Sequence, residues 1–462
     1  MTTMGLCLPG GRYYIETYGC SLAEFDTSVM EYVLEREGFE RAHSIGDADY
    51  VIVNTCAVRL DTEQRIAERL QEIRSMYPNV KLVVAGCLVK ARPGLVARVA
   101  PGASMISPQN VHRVVEAIRA LESGSRLVAL DGVRDTSFIP LKPTGVTATI
   151  MVQEGCLGDC SFCITKIARR QVKSYPPRLV VEAVEKLVGM GVVEIRLTGL
   201  DTAVYGVDLP GRPSIADLIN MVLDRVEGDY RLRIGMMTPE MAMEIVDDLL
   251  EAYRDERVYK YFHIPVQSGD DRVLRLMNRG YTVDEYRWLH SKIKTRYPEA
   301  MIATDIIVGH PGEDEEAFEN TVKLVRELKF KKVHIAQYTI RPHTRAAAMK
   351  QVPDPVKKAR SSRLARVAEE IGYQVMSRYK GEVVEAIVVE WGFREGSLVG
   401  RLNNYTPVVV TGNRDLLGSK VRVRVKDNTF FDLRGDILEV VRPPRIAYSR
   451  ERPCSLKMHF EY

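Results

Sequence analysis

Short apolar runs followed by helical patterns recur along most of this chain, and that alternation restricts the fold more than any other property. In the first 120 residues, 13–18, 50–54 and 81–85 read as strands, and 22–37, 62–76 and 89–100 as helices. A Pro- and Gly-containing linker at 140–145 follows, and the alternation then resumes with strands at 147–153, 193–198, 231–236, 261–266, 301–308 and 332–340. Repeated strand-helix order predicts parallel sheets covered by helices. Six such strands predict a partial barrel or a strongly curved parallel sheet, with the chemistry at the carboxyl ends of the strands. Leu364, Val367, Ile371 and Val375, with Arg360, Arg363 and Arg366 between them, then read as a connecting helix. Short Val and Ile runs at 383–389, 397–402, 406–411, 420–425 and 436–440 predict a small antiparallel barrel.

Three cysteines fall just past the first strand of the second set, in Gly155-Cys156-Leu157-Gly158-Asp159-Cys160-Ser161-Phe162-Cys163. This spacing gathers three thiolates within a turn of backbone and supplies no fourth ligand. Structural zinc sites close with four protein ligands, whereas catalytic centres keep a position open. An iron–sulfur cube on three thiolates likewise leaves one iron free. Cys20, Cys56 and Cys87 each follow a strand of the first set. Ligands bind beyond the carboxyl ends of parallel strands, so these three are expected to converge at one rim. Any one alone would read as a small buried residue; three at matching strand ends read as a second ligand set. Cys7 and Cys454 have no ligand-type neighbours and read as incidental.

A length of 462 residues suits roughly three domains, and 45% hydrophobic with 27% charged residues excludes global disorder. No apolar run approaches the roughly 18 residues of a membrane span, and residues 1–7 lack a signal-peptide pattern. The expectation is a cytoplasmic, reducing location, where the eight cysteines are ligands or spectators rather than disulfides. The net charge of +4 hides an asymmetry: residues 341–462 carry 23 Lys and Arg against 14 Asp and Glu, and residues 1–340 carry 42 against 47. Lys420, Arg422, Arg424 and Lys426 alternate with valines, which sets a basic row on one strand face. A basic end on a small barrel is a polyanion-binding pattern.

These residues together resemble the radical S-adenosylmethionine (SAM) methylthiotransferases. The Cys156-x3-Cys160-x2-Cys163 run, with Glu154-Gly155 before it and Ala168-Arg169-Arg170 after it, is similar to the radical SAM motif. Thr17-Tyr18-Gly19-Cys20, Asn54-Thr55-Cys56-Ala57-Val58-Arg59 and Ala85-Gly86-Cys87 resemble the family's auxiliary-cluster motifs. Gly400-Arg401-Leu402-Asn403-Asn404-Tyr405 resembles its RNA-binding TRAM barrel. The resemblance implies an α/β chain: a flavodoxin-like parallel-sheet domain at 11–122, a partial (β/α)6 radical SAM core at 142–372 and a small OB-like TRAM barrel at 373–442. It implies two [4Fe-4S] clusters. One, on Cys156, Cys160 and Cys163, would cleave SAM to a 5′-deoxyadenosyl radical; the other, on Cys20, Cys56 and Cys87, would hold the sulfur that is transferred. Thr198, Asp201, Gln267, Ser268 and Asp305 are the expected SAM contacts, and Arg401, Asn404, Tyr405, Arg422 and Arg424 the expected RNA contacts.

Asp201-Thr202-Ala203-Val204-Tyr205-Gly206 is similar to both the ribosomal-protein-modifying branch and the branch acting on threonylcarbamoyladenosine, whereas His263-Ile264-Pro265-Val266-Gln267-Ser268-Gly269 resembles tRNA-modifying branches. Only the threonylcarbamoyladenosine branch satisfies both. The implied partners are a tRNA anticodon loop modified at position 37, a reductant and a sulfur donor, with a monomer favoured. Leu200 departs from the pattern, where a more polar residue is expected. His334, Gln337 and Tyr338 are candidates to meet the threonylcarbamoyl group by position only, and sheet packing or a rim hydrogen bond explains them better. The rival readings are a ribosomal-protein methylthiotransferase and a non-catalytic metal-cluster RNA-binding protein.

Overall fold

The computed structural model describes residues 10–444; Cys7 and Cys454 lie outside the described residues. The amino-terminal sheet contains β1 (Gly10–Thr17), β2 (Phe39–Arg41), β3 (Tyr50–Thr55), β4 (Lys81–Gly86), β5 (Ser104–Ile106) and β6 (Val128–Ala129), in the order β2-β1-β3-β4-β5-β6. Every pairing is parallel. The first five strands have the flavodoxin-like order, whose ligand crevice opens between β1 and β3. All six residues of β3 are buried, as expected of a central strand covered on both faces. The sixth strand lies beyond the expected limit at 122. The helix expected at 89–100 is two, Cys87–Ala91 and Pro93–Val99, because Pro93 offers no N–H to continue the first.

The core follows with β7 (Thr147–Glu154), β8 (Lys173–Ser174), β9 (Glu194–Gly199), β10 (Arg231–Ile234), β11 (Tyr261–His263), β12 (Met301–Val308) and β13 (Lys332–Gln337). Its hydrogen bonds form two sheets, β10-β9-β7-β8 and β11-β12-β13. A parallel bridge from Leu232 to Val258 and a bond from the Met237 N–H to the His263 carbonyl (3.0 Å) join them into one open arc. The helix Asp354–Ser377 buries Leu364, Val367, Ile371 and Val375, and runs straight through the expected boundary at 372.

The last region, β14 (Val383–Trp391), β15 (Ser397–Arg401), β16 (Pro407–Thr411), β17 (Lys420–Asn428) and β18 (Leu433–Arg442), closes in the order β14-β15-β16-β18-β17. The pairing β16–β18 is parallel rather than antiparallel. Five strands cannot alternate direction all the way round a closed ring, so one pair must run the same way. Among the described residues, no helix is long and apolar enough to cross a membrane.

Candidate functional site

The β1, β3 and β4 ends deliver Cys20, Cys56 and Cys87 to one cleft, lined also by Leu22, Thr165, Arg169 and Leu200. Cys20 is the N-cap of the helix Ser21–Arg36, whose dipole favours a thiolate there. Gly86, immediately before Cys87, has φ +95°, and a Cβ there would stand 2.4 Å from Asn54 Oδ1. Only glycine turns the chain so tightly from strand to cysteine. Leu200, unexpected from the motif, is part of the apolar wall of this cleft. Burial, with Cys87 and Cys20 adding, pushes the Cys56 thiol up to about 12, and burial likewise raises that of Cys87.

Cys156, Cys160 and Cys163 lie beyond β7. Gly155 has φ +89°, and a Cβ there would lie 2.1 Å from the Gln171 carbonyl oxygen. A Cβ on Gly158 would come within 3.3 Å of Cys156 Sγ and 3.8 Å of Cys160 Sγ, so glycine keeps the space beside both sulfurs open. The loop is pinned by the Ser161 N–H to Met277 O (2.9 Å), by Asn278 Nδ2 to Asp159 O (2.9 Å) and by Phe162 packed with Val273, Met277 and Ala317. Burial, then Asp201, pushes the Cys156 thiol up to about 12.

The only His, Cys, Asp and Glu set among the described residues whose ligand atoms all lie within 4.8 Å of one another is His263, Asp305 and His334. Neither cysteine trio closes to that span. Tetrahedral zinc, with Zn–S ~2.3 Å, needs sulfurs only about 3.8 Å apart. Both trios are therefore spread wider than a single zinc ion requires, and all six cysteines are free thiols.

One arginine reaches each trio. Arg279 Nη1 donates to Cys160 Sγ (3.2 Å) and Arg169 Nε to Cys87 Sγ (3.3 Å). Arg169, 2% exposed, also donates to Glu154 Oε1 (2.6 Å) and pairs with Asp26. Arg134 completes the set, with Nε to Glu154 Oε2 and Nη2 to Asp26 Oδ1, both 2.6 Å. Burial alone would raise the Glu154 carboxyl; Arg134 and Arg169 outweigh it and hold it low. Two cations and two carboxylates thus seal the seam between the first domain and the core. Arg169 links the Cys87 sulfur to Glu154, two residues before Cys156. The motif drew attention to Glu154 and Arg169, but not to Asp26, Arg134 or Arg279, whose partners are distant in sequence.

The five expected SAM contacts separate. Thr198 is buried and its hydroxyl meets that of Ser21, beside Cys20 (2.9 Å). Asp201 is engaged already, accepting from the Thr238 N–H (3.0 Å), the Thr238 hydroxyl (2.6 Å) and the Ala203 N–H (3.3 Å), and burial raises its carboxyl. It braces the rim beside Cys156, whose Sγ lies 4.0 Å from Asp201 Oδ2. Gln267 sits at φ +66°, and its buried Oε1 has no hydrogen-bond partner, which leaves an acceptor available for a bound group such as SAM. Ser268 is buried and its hydroxyl accepts from the Asp270 N–H (3.3 Å). Asp305 lies inside the barrel, bonded to His263 Nε2 at 2.8 Å and next to His334.

Three of the five expected RNA contacts face inwards. Arg401 pairs with Glu390 (2.6 Å) and lies over the Tyr405 ring. Asn404 donates to the Glu299 carbonyl and to Tyr379, both at 2.9 Å. Tyr405 packs on Tyr259 and Tyr261 and reaches Glu194 (3.3 Å). The loop docks the small barrel onto the amino ends of the core strands, where apolar and aromatic contacts outcompete solvent. Arg422 and Arg424 remain exposed; Arg422 has Glu439 at 3.5 Å. Of the remaining candidates, His334 points into the barrel hollow, Gln337 is exposed, and Tyr338 is buried against His310.

Family models match all three regions: "Radical SAM superfamily" at 150–325, "Uncharacterized protein family UPF0004" at 12–107 and "TRAM domain" at 377–438. Among solved structures, the chain is similar to the radical S-adenosylmethionine methyltransferase TsrM of Kitasatospora setae. That match has TM-score 0.56 and 15% identity and covers 83% of this chain and 79% of that one, a likeness of fold. The fold and site define a radical SAM enzyme. Curated relatives narrow the class: a probable threonylcarbamoyladenosine tRNA methylthiotransferase of Methanothermobacter thermautotrophicus is 37% identical over 91% of this chain and 98% of its own length. One of the same name from Archaeoglobus fulgidus is 36% identical over 92% and 98%. A tRNA-2-methylthio-N(6)-dimethylallyladenosine synthase of Chloroflexus aurantiacus is 36% identical over 92% and 91%. The chain belongs to the radical SAM methylthiotransferase family, in the branch of the archaeal relatives.

Proposed function

We propose that this enzyme converts N6-threonylcarbamoyladenosine at tRNA position 37 to its 2-methylthio derivative, with one iron–sulfur cluster on Cys156, Cys160 and Cys163 and a second on Cys20, Cys56 and Cys87. The observation that carries this reading is the pair of incomplete thiolate sets on one side of the core, joined through Arg169 and Glu154. When bound, the clusters and SAM supply one-electron cleavage and sulfur. The chain supplies position and charge. Arg169 and Arg279 place a cation on a sulfur of each set, which favours added negative charge there. Leu22 and Leu200 give the auxiliary cleft an apolar wall, while its Cys20 stays open to solvent, and Gln267 offers its unpartnered oxygen at the rim. The relatives' names support a tRNA substrate. The exposed Arg422 and Arg424 support a polyanion partner.

The nucleosides of tRNA from wild-type and deletion strains, compared by mass spectrometry, test the substrate. Loss of 2-methylthio-N6-threonylcarbamoyladenosine is expected; unchanged tRNA with an altered ribosomal protein would sink the reading. Cys160→Ala should abolish SAM cleavage, whereas Cys56→Ala should retain cleavage and lose sulfur insertion. Tight zinc without iron would instead support the non-catalytic rival. The Chloroflexus relative supports dimethylallyladenosine as a second substrate reading, and the same nucleoside analysis separates the two.

A further inference from the structure

In the core arc, outward-facing residues are buried while their inward-facing neighbours are partly exposed. Ile195, Leu197, Leu232, Ile234, Phe262 and Ile306 are shut away. Thr149, Arg196, Arg233, His263, Asp305 and His334 are each partly open. Strand register sets Thr149 beside Arg196, Arg196 beside Arg233, and Asp305 beside His334. These partly open side chains line a hollow on the concave face of the arc at mid-height.

Charge decides what suits it. Arg196 is paired with Glu194 (2.7 Å) and faces Glu24, and Arg401 is paired with Glu390. Arg233 has no carboxylate partner among the described residues, and its buried Nε makes no hydrogen bond. The rings of Tyr261 (5.0 Å) and Tyr405 (5.9 Å) hold the guanidinium in place. His263, Asp305 and His334 alone would suit a divalent cation. Arg233 and Lys332 both bear on His334, however, and like charge disfavours a dication there. A guanidinium with no carboxylate partner on a concave, partly screened surface favours an anion, best of all a carboxylate.

Depth fits as well. Arg196, level with Arg233, is two residues below Thr198, or roughly 7 Å at a strand rise of ~3.3 Å per residue. Thr198 touches Ser21, next to Cys20. A substituent on a base held at the auxiliary site can span that drop. Resting on the substrate reading above, we propose that this hollow is the subsite for the threonylcarbamoyl side chain, with Arg233 binding its carboxylate. The dimethylallyl group of the alternative substrate carries no charge and gives Arg233 no partner.

The test uses the reconstituted full-length enzyme and anticodon stem-loop RNAs whose threonylcarbamoyladenosine carries a free carboxylate or its methyl ester. Both kcat/KM and the Kd for RNA without reductant are measured. Wild type should favour the free carboxylate by roughly 10- to 100-fold, the worth of a hydrogen-bonded charge. Arg233→Gln should erase that preference, and Arg233→Lys should retain part of it. Iron content and melting temperature, both expected to match wild type, report on folding. A preference that survives Arg233→Gln overturns the subsite. So does a wild type indifferent to the ester, which decides the matter even if the variants fail to fold. A wild type that leaves the threonylcarbamoyl base unmodified while modifying the dimethylallyl base overturns the substrate reading instead.

Discussion

Arg169 donates to the Cys87 sulfur and, through Glu154 and Asp26, joins two domains from a fully buried position. With Arg134 it makes a set of two positive and two negative groups, neutral only while complete. Removing one partner of a buried pair costs about 3–5 kcal/mol, because it leaves an uncompensated charge. Arg169→Met is therefore expected to lower stability by about that amount in denaturant unfolding of the apoprotein, and to shift the auxiliary cluster to a more negative reduction potential in an EPR titration. An unchanged potential would limit Arg169 to holding the seam. The sequence marked this residue only as part of a motif. Its partners Asp26 and Arg134 lie more than a hundred residues apart, and only folding brings them together.

Each element that carries a candidate ligand ends the same way, with a parallel strand stopping at the rim and a tight turn pointing the next side chain inwards. Gly155 shows the limits of that turn, with φ +89° and Gln171 O where a Cβ would stand. Gly155→Ala carries a backbone penalty of ~1–3 kcal/mol before the clash is relieved. Iron bound per chain should fall towards that of Cys160→Ala, while the auxiliary set still loads; full iron content would show that the turn tolerates a side chain. The strand ends were legible because β3 and β4 are near-continuous apolar runs bounded by Thr55-Cys56 and Gly86-Cys87. The split of 89–100 into two helices was legible too, at Pro93, but apolar periodicity masked it.

On the scale of the whole molecule, the small barrel turns the Arg401–Tyr405 loop towards the core and its basic strand towards solvent. Replacing Arg422 and Arg424 together by alanine should weaken tRNA binding and reduce the slope of log K against log salt by about one for each phosphate no longer neutralised. An unchanged slope would move the RNA surface elsewhere. The sequence could not separate these two groups of arginines, since a buried docking arginine and an exposed RNA-binding one have the same composition and similar neighbours. Local information determined the three α/β and β regions, the six candidate ligand cysteines and the turns that present them, because strand periodicity and glycine sterics act over a few residues. Only the tertiary structure decided which cations meet the sulfurs, which arginines dock the barrel and that Arg233 has no carboxylate partner among the described residues. Those outcomes depend on which distant charges share a low-dielectric interior, and the chain's order does not encode that locally.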